Sequence, residues 1–270
     1  MTDARSPKVR FIGAGRAALS LAGALAQVGC DVVDLLGRAD PVSSAARGVD
    51  VLVIAVPDSA IAAVAGAVVP VPTTAVVHLS GSLGPEVLVP HPRRASMHPL
   101  VPLPNPETGT RRLLGGVSFA VDGDPAASEL VELLGGIEVS VTGAQRAAYH
   151  AAACIAANHV VALLGQVERV ANAAGLGFEM FAPLAAAAVA DAAAMGPAAA
   201  LTGPAARGDQ STIERHRAAL DPAELPGYDA GVALAVKLAG TRDSTGGTGA
   251  PGTGAPGTDR ARRGEVARCA

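Results

Sequence analysis

The sequence predicts an α/β chain: an N-terminal doubly wound parallel sheet, an all-α C-terminal half and a disordered tail. Three observations predict it. Short runs rich in β-branched residues alternate with helix-forming stretches over residues 1–142, as in sheets whose strands are joined by crossover helices. From Gly143 the strand signals stop, and apolar residues fall at helical spacing. From Thr241, Gly-Thr-Gly-Ala-Pro occurs twice in succession with hardly any large apolar side chain nearby, too little to offset the entropy of ordering. The expected domains are therefore 1–142, 143–240 and a low-complexity tail, 241–270.

The first strand, 8–12, runs into Gly13-Ala14-Gly15 and then a helix over 17–28. Further strands are expected at 30–36, 49–56 and 75–79, with a helix from Asp58-Ser59 whose side chains are expected to cap it. Strands at 116–121 and 137–141 flank a helix started by Asp124-Pro125. The second half opens with a Pro-free helix over 144–174, which would span about 45 Å. Helices at 178–194, 210–220 and 228–239 follow.

Gly13-Ala14-Gly15-Arg16-Ala17-Ala18 sits where strand turns into helix. There the first glycine permits the tight turn and the second lets a pyrophosphate approach the backbone, with small residues keeping the helix close to its strand. The phosphates would lie at the helix N-terminus, where free N–H groups and the dipole favour negative charge. This is the signature of a Rossmann-like dinucleotide site. Ligands of such sheets lie beyond the carboxyl ends of the strands, which places Val56-Pro57-Asp58 and Ser80-Gly81 beside the cofactor. The acidic residue that would hold a ribose 2′-hydroxyl is missing, and the second strand ends in Leu36-Gly37-Arg38. Arg38, with Arg16 assisting, suits a 2′-phosphate, so NADP is expected in preference to NAD. The bland alternative leaves Arg38 a solvated loop residue.

Composition excludes several classes. A net charge of −3 offers no basic footprint for nucleic acid. Cys30, Cys154 and Cys269 are few and odd in number, which argues against a disulfide framework and for a reducing cytoplasm. Half of the residues are hydrophobic, but many are Ala, and Pro57-Asp58, Asn158-His159 and Asp191 interrupt the apolar stretches, so no membrane span is expected. An N-terminal signal peptide is not expected either, because its cleavage would remove the first strand and the glycine turn.

Four places carry candidate chemistry. His150 and Asn158 lie two turns apart near the start of the long helix, with Cys154 between them; a His there can protonate a carbonyl oxygen and an Asn amide can orient it. Arg207 stands in a Gly-rich loop, suited to a carboxylate clamp, while Asp209 reads as the cap of the next helix. Ser80 and Ser82, which follow one strand, are placed to donate hydrogen bonds to a substrate carboxylate, and His98, which follows another and is stiffened by Pro99, to approach the nicotinamide. Each has a plain structural alternative: core hydrogen bonding for the helix pair, turn chemistry for the loops. His91, His159 and His216 lack such context, and no metal-ligating set stands out.

Taken together, Gly13-Ala14-Gly15-Arg16, Val56-Pro57-Asp58, His78-Leu79-Ser80-Gly81, Met97-His98-Pro99-Leu100, Tyr149-His150 with Asn158, and Leu201-Thr202-Gly203-Pro204 through Asp209 resemble bacterial Rossmann-like proteins whose helical second domain was long catalogued as of unknown function. The resemblance covers about residues 8 to 239. It implies the superfamily of 6-phosphogluconate, 3-hydroxyisobutyrate and prephenate dehydrogenases and pyrroline-5-carboxylate reductase, and within it the alternative ketopantoate reductases. It therefore implies reduction of a small 2-keto acid with a nicotinamide cofactor, for which Arg38 already favours NADPH. Independently, a long helix beside a dinucleotide-binding sheet suggests a substrate domain that also forms a homodimer. The chain departs from many of those dehydrogenases in lacking a catalytic Lys near the start of the long helix. Arg146 and His150 stand there instead, and of the two only His titrates near neutral pH, which makes His150 the expected acid. An imino-acid reductase and a nucleotide-sensing protein without redox chemistry remain as alternatives.

Overall fold

The computed structural model describes residues 6–245. Its first half is built on one seven-stranded sheet in the order β2-β1-β3-β4-β5-β6-β7. The strands are β1 (Lys8–Ile12), β2 (Asp31–Leu36), β3 (Val51–Ile54), β4 (Ala75–His78), β5 (Arg94–Pro99), β6 (Ser118–Gly123) and β7 (Ile137–Ser140). All neighbours run parallel except β5 and β6, which are antiparallel. The expectation of a parallel sheet thus holds with one reversal. Between β5 and β6 the chain carries the short helix α3, described below, and β6 returns alongside β5 in the opposite sense.

Helices α1 (Arg16–Gln27), α2 (Asp58–Ala67), α3 (Pro106–Leu113) and α4 (Ala126–Leu133) flank the sheet. β3 and β4 are buried along their whole length, which requires cover on both faces. Successive strand side chains point to opposite faces, and the core divides accordingly. Val51 and Val53 join Phe11, Leu21, Leu25 and Leu130 in one cluster, while Leu52 and Ile54 join Ile61, Ala65 and Leu88 in another.

The structure corrects several details. Ser96 to His98 lie within β5 and not after a strand; their alternation with buried neighbours was too short to read as one. Helix α3 has no counterpart in the sequence reading, because its Pro, Gly and Thr are weak helix formers; Asn105 starts it by accepting the Thr108 N–H at 2.9 Å. Neither Asp58 nor Ser59 caps α2, whose N-cap is Pro57 with no side-chain bond; the Asp58 carboxylate is engaged elsewhere. Asp209 caps its helix as expected, accepting from the Thr212 N–H.

The long helix consists of α5 (Gly143–Cys154), a π-helical turn (Ile155–His159) and α6 (Val160–Ala173). Then come α7 (Ala182–Met195), α8 (Pro197–Ala200), α9 (Gln210–Ala219) and α10 (Leu225–Thr245). Asn158-His159 and Asp191 do not break these helices. Gly143–Ala173 and Phe178–Met195 are long and apolar enough to cross a membrane, contrary to the sequence reading; length and composition alone do not show that they do. Helix α10 passes the expected border at 240. The rest of the anticipated tail, from 246, lies outside the described residues.

The chain forms two compact units, one ending at Val161 and one beginning at Ala162. Their interiors differ. Among the described residues of the second unit, only Ala171 and Ile213 are buried hydrophobics.

Candidate active site

At the carboxyl end of β1, Gly13 adopts φ +112°, where a Cβ would also run into the Ala55 carbonyl. Its N–H donates to the Leu36 carbonyl at 2.8 Å. Gly15 is the N-cap of α1; a Cβ built there would meet nothing within 4 Å, and α1 has neither a capping side chain nor an acidic residue in its first turn. Open space therefore faces unsatisfied N–H groups and an uncompensated helix dipole, an arrangement that fits a pyrophosphate. Ala14 and Arg16 are exposed and Ala17 half-buried, and Arg16 reaches the Pro104 carbonyl at 3.5 Å. Arg38 is exposed just past β2. In the same loop Asp40, which the sequence reading passed over, accepts the Gly37 N–H at 2.7 Å.

The loop after β4 is braced by polar contacts. His78 is fully buried; its Nδ1 accepts the Ser80 N–H and its Nε2 faces the Gly84 carbonyl at 3.0 Å, which sets the tautomer with the proton on Nε2. Burial lowers its pKa, partly offset by that carbonyl. The hydroxyls of Ser80 and Ser82 both donate to Asp58 Oδ2 at 2.7 Å. Ser80 Oγ also accepts from the N–H groups of Ser82 and Leu83, so its only hydrogen is committed to Asp58. Val56 and Pro57 lead from β3 into this carboxylate.

This bracing presents Gly81 to two imidazoles. A Cβ on Gly81 would lie 2.7 Å from His150 Cδ2 and 3.0 Å from His98 Cε1 and Nε2, so glycine is the residue that lets both rings rest there. The two rings meet edge to face at 5.8 Å. His98 Nδ1 and Tyr149 Oη share a 2.7 Å hydrogen bond, and His150 Nε2 stands 3.9 Å from Cys154 Sγ. Burial, reinforced by His150 and Arg146, pushes the His98 pKa down to about 4. Burial raises that of Tyr149, with Arg146 opposing.

Behind the cluster lies Arg146, 1% exposed. Its Nη2 donates to Ser96 Oγ and stands 3.7 Å from Asp122 Oδ2. Its Nε and Nη1 have no partner among the described residues.

Of the residues singled out by sequence, the structure brings His98 and His150 together and sets Ser80 and Asp58 in the adjoining loop. Asn158 is exposed in the π-turn, and Arg207 is exposed in the second unit. His91 is a buried core residue bonded to the Ala65 carbonyl, and His216 pairs with Tyr228. Tyr149 and the burial of Arg146 were missed as functional features. One signal was available for Tyr149, since it is one of only two tyrosines and adjoins His150. The second unit contains a cavity of about 810 Å³ whose lining includes Val170, Leu176, Phe181, Leu220 and Tyr228.

Residues 117–233 match the model of a domain of unknown function, DUF2520. No curated protein matches the chain in sequence. Protein TM1727 from Thermotoga maritima is 23% identical with TM-score 0.67, over 87% of this chain and 99% of its own. BF3122 from Bacteroides fragilis, provisionally named an NADP oxidoreductase, is 20% identical with TM-score 0.73, over 86% and 98%. The pyrroline carboxylate reductase of Plasmodium falciparum, solved with NADP bound, is 15% identical with TM-score 0.55, over 86% and 98%. At these identities the likenesses establish the fold: a Rossmann-like sheet followed by a helical C-terminal half.

Proposed function

We propose that the protein is a soluble, cytoplasmic NADPH-dependent oxidoreductase that reduces a small 2-oxo acid, with ketopantoate as the leading substrate. The observation that carries this reading is the pairing of two features on one edge of the sheet. A pyrophosphate cradle opens at Gly15, and the His98–His150 pair rests on Gly81 at the carboxyl end of β4, the region that faces bound ligands in open α/β sheets. Gly13, Ala14, Gly15, Arg16 and Ala17 would hold the pyrophosphate, Arg38 the 2′-phosphate, and Val56, Pro57 and Asp58 the adjoining ribose side.

When bound, the cofactor supplies a hydride to the carbonyl carbon. The chain's own task is to deliver a proton to the oxygen, to hold the carboxylate and to exclude water. The ring cluster around Gly81, formed by His98, His150 and Tyr149, is the proton source, and His150 is the member that the sequence singled out. Asn158 and Arg207 are the expected orienting and carboxylate-binding groups. The half-buried rings around Gly81 limit water access.

The test is oxidation of NADPH by the purified protein with ketopantoate, pyrroline-5-carboxylate and a panel of 2-oxo acids, followed by rescue of a pantoate-requiring bacterium. His150→Ala is expected to retain cofactor affinity while losing turnover. Turnover with pyrroline-5-carboxylate alone replaces the oxo-acid assignment with an imino-acid one. The absence of a Lys near the start of α5 favours a second reading, a nucleotide-sensing protein without redox chemistry. NADPH binding with no turnover on any substrate selects it.

The second unit acts as a homodimerisation surface. Leu163, Leu184, Val189 and Leu234 are each more than half exposed in a single copy, and a unit with so little interior gains its core by meeting a second copy.

A further inference from the structure

We infer that the proton donor of this site is the Tyr149 phenol, supported by His98, and not an imidazole. The inference rests on the reductase reading and deepens it. His98 is held by its Nδ1 against Tyr149 Oη at 2.7 Å, the rings edge to face. With a pKa of about 4, His98 is cationic in roughly one molecule in a thousand at neutral pH, so it has no acidic proton to give. His150 lays its Cδ2 edge on Gly81 and turns its Nε2 toward the Cys154 thiol. The phenol is protonated throughout the physiological range, because burial raises its pKa. It is half-buried, with part of its surface open.

The charges around it are arranged to receive the phenolate that donation leaves behind. Arg146 is a buried cation that favours the ionised phenol, and two of its nitrogens are unpartnered among the described residues. Asp122 and Ser96 engage only Nη2. Asp58 is the acidic group that acts on the His98 side of the cluster.

In the step, the carbonyl carbon gains a hydride and the C=O π pair moves onto oxygen. The Tyr149 Oη–H bond breaks, its proton bonds to that oxygen, and the electron pair stays on Oη as phenolate. The tautomer of His98 with hydrogen on Nδ1 donates to Oη before and after transfer. This frees the hydroxyl hydrogen for the substrate and stabilises the phenolate until water returns a proton.

The chain has no Trp and two Tyr, so in a Tyr228→Phe background the phenolate absorbance titrates Tyr149 alone. His98→Leu, which removes the donor without adding water, is expected to raise the Tyr149 pKa by about one unit. His98→Asn, whose amide N–H substitutes for Nδ1–H, is expected to restore it. A downward shift in His98→Leu means that Tyr149 donates to His98, which overturns the proposal. In turnover, Tyr149→Phe is expected to lose about 10²–10⁴ in kcat with NADPH affinity unchanged, and His150→Ala to lose less. Turnover of Tyr149→Phe within threefold of wild type overturns the donor assignment and leaves the reductase reading standing. A wild type inert toward every oxo and imino acid overturns both.

Discussion

The two units draw on different small apolar residues to opposite ends: Val is concentrated in the first and Ala in the second. In the first, Val and Ile alternate at strand spacing, and the sheet buries both faces under α1, α2 and α4. That rigid core lets β5 and α5 hold costly groups, among them a buried guanidinium with unpartnered nitrogens and two imidazoles in contact. The second unit spreads its apolar residues around helices. Its polar contacts lie at the surface, as in the Arg169 to Glu224 ion pair. Precision of side-chain placement follows from burial, which supports the proposed reading that proton transfer belongs to the first unit and association to the second.

The largest effect should come from challenging that division at α7 and α10. Leu184→Asp and Leu234→Asp change side chains that are 68% and 69% exposed, so in a monomer each is expected to shift stability by less than about 0.5 kcal/mol. At a dimer seam each should cost about 2–4 kcal/mol. Sedimentation and thermal melts of the two variants separate the cases, and unchanged behaviour in both removes the seam.

Next is the acid sensitivity of the first unit. The His98 pKa falls from 6.5 to about 4 on folding. For a base depressed in this way, the unfolded chain binds the proton first, so stability is intact above pH 6.5 and declines as pH falls toward 4. The loss is up to about 3 kcal/mol. His98→Leu should flatten that window in denaturant titrations, and an equally steep decline would assign it to other groups.

Arg38→Ala should then lower NADPH affinity by roughly tenfold or more, the worth of a charge-assisted pair, while leaving NADH affinity alone. Titration with both cofactors measures it, and equal wild-type affinities would remove the 2′-phosphate role.

The smallest effect on stability is the most diagnostic for the cradle. Gly15→Ala places its Cβ in open space, so the melting temperature should hold within a degree or two while dinucleotide binding weakens. Gly13→Ala, with its positive φ and the Ala55 carbonyl in the way, should lose both.

Much of this was legible from local signals. The strands from β1 to β4 and the cap at Asp209 follow from patterns within a few residues. The reversal of β6 was not legible, because strand direction depends on how a connection packs and leaves no mark on alternation. Nor was the fate of Asp58. A residue at a helix start reads as a cap, and only the fold brings it the hydroxyls of Ser80 and Ser82 from the loop after the next strand.

The sequence by itself determined the doubly wound sheet, the glycine cradle and the helical second half, since each rests on periodicity or backbone conformation encoded nearby. Tertiary structure alone decided the site. Tyr149 meets His98 across 51 residues and Arg146 meets Ser96 across 50. Those pairings, with the burial that neutralises His98, arise only when α5 lies against β5 and water is excluded between them.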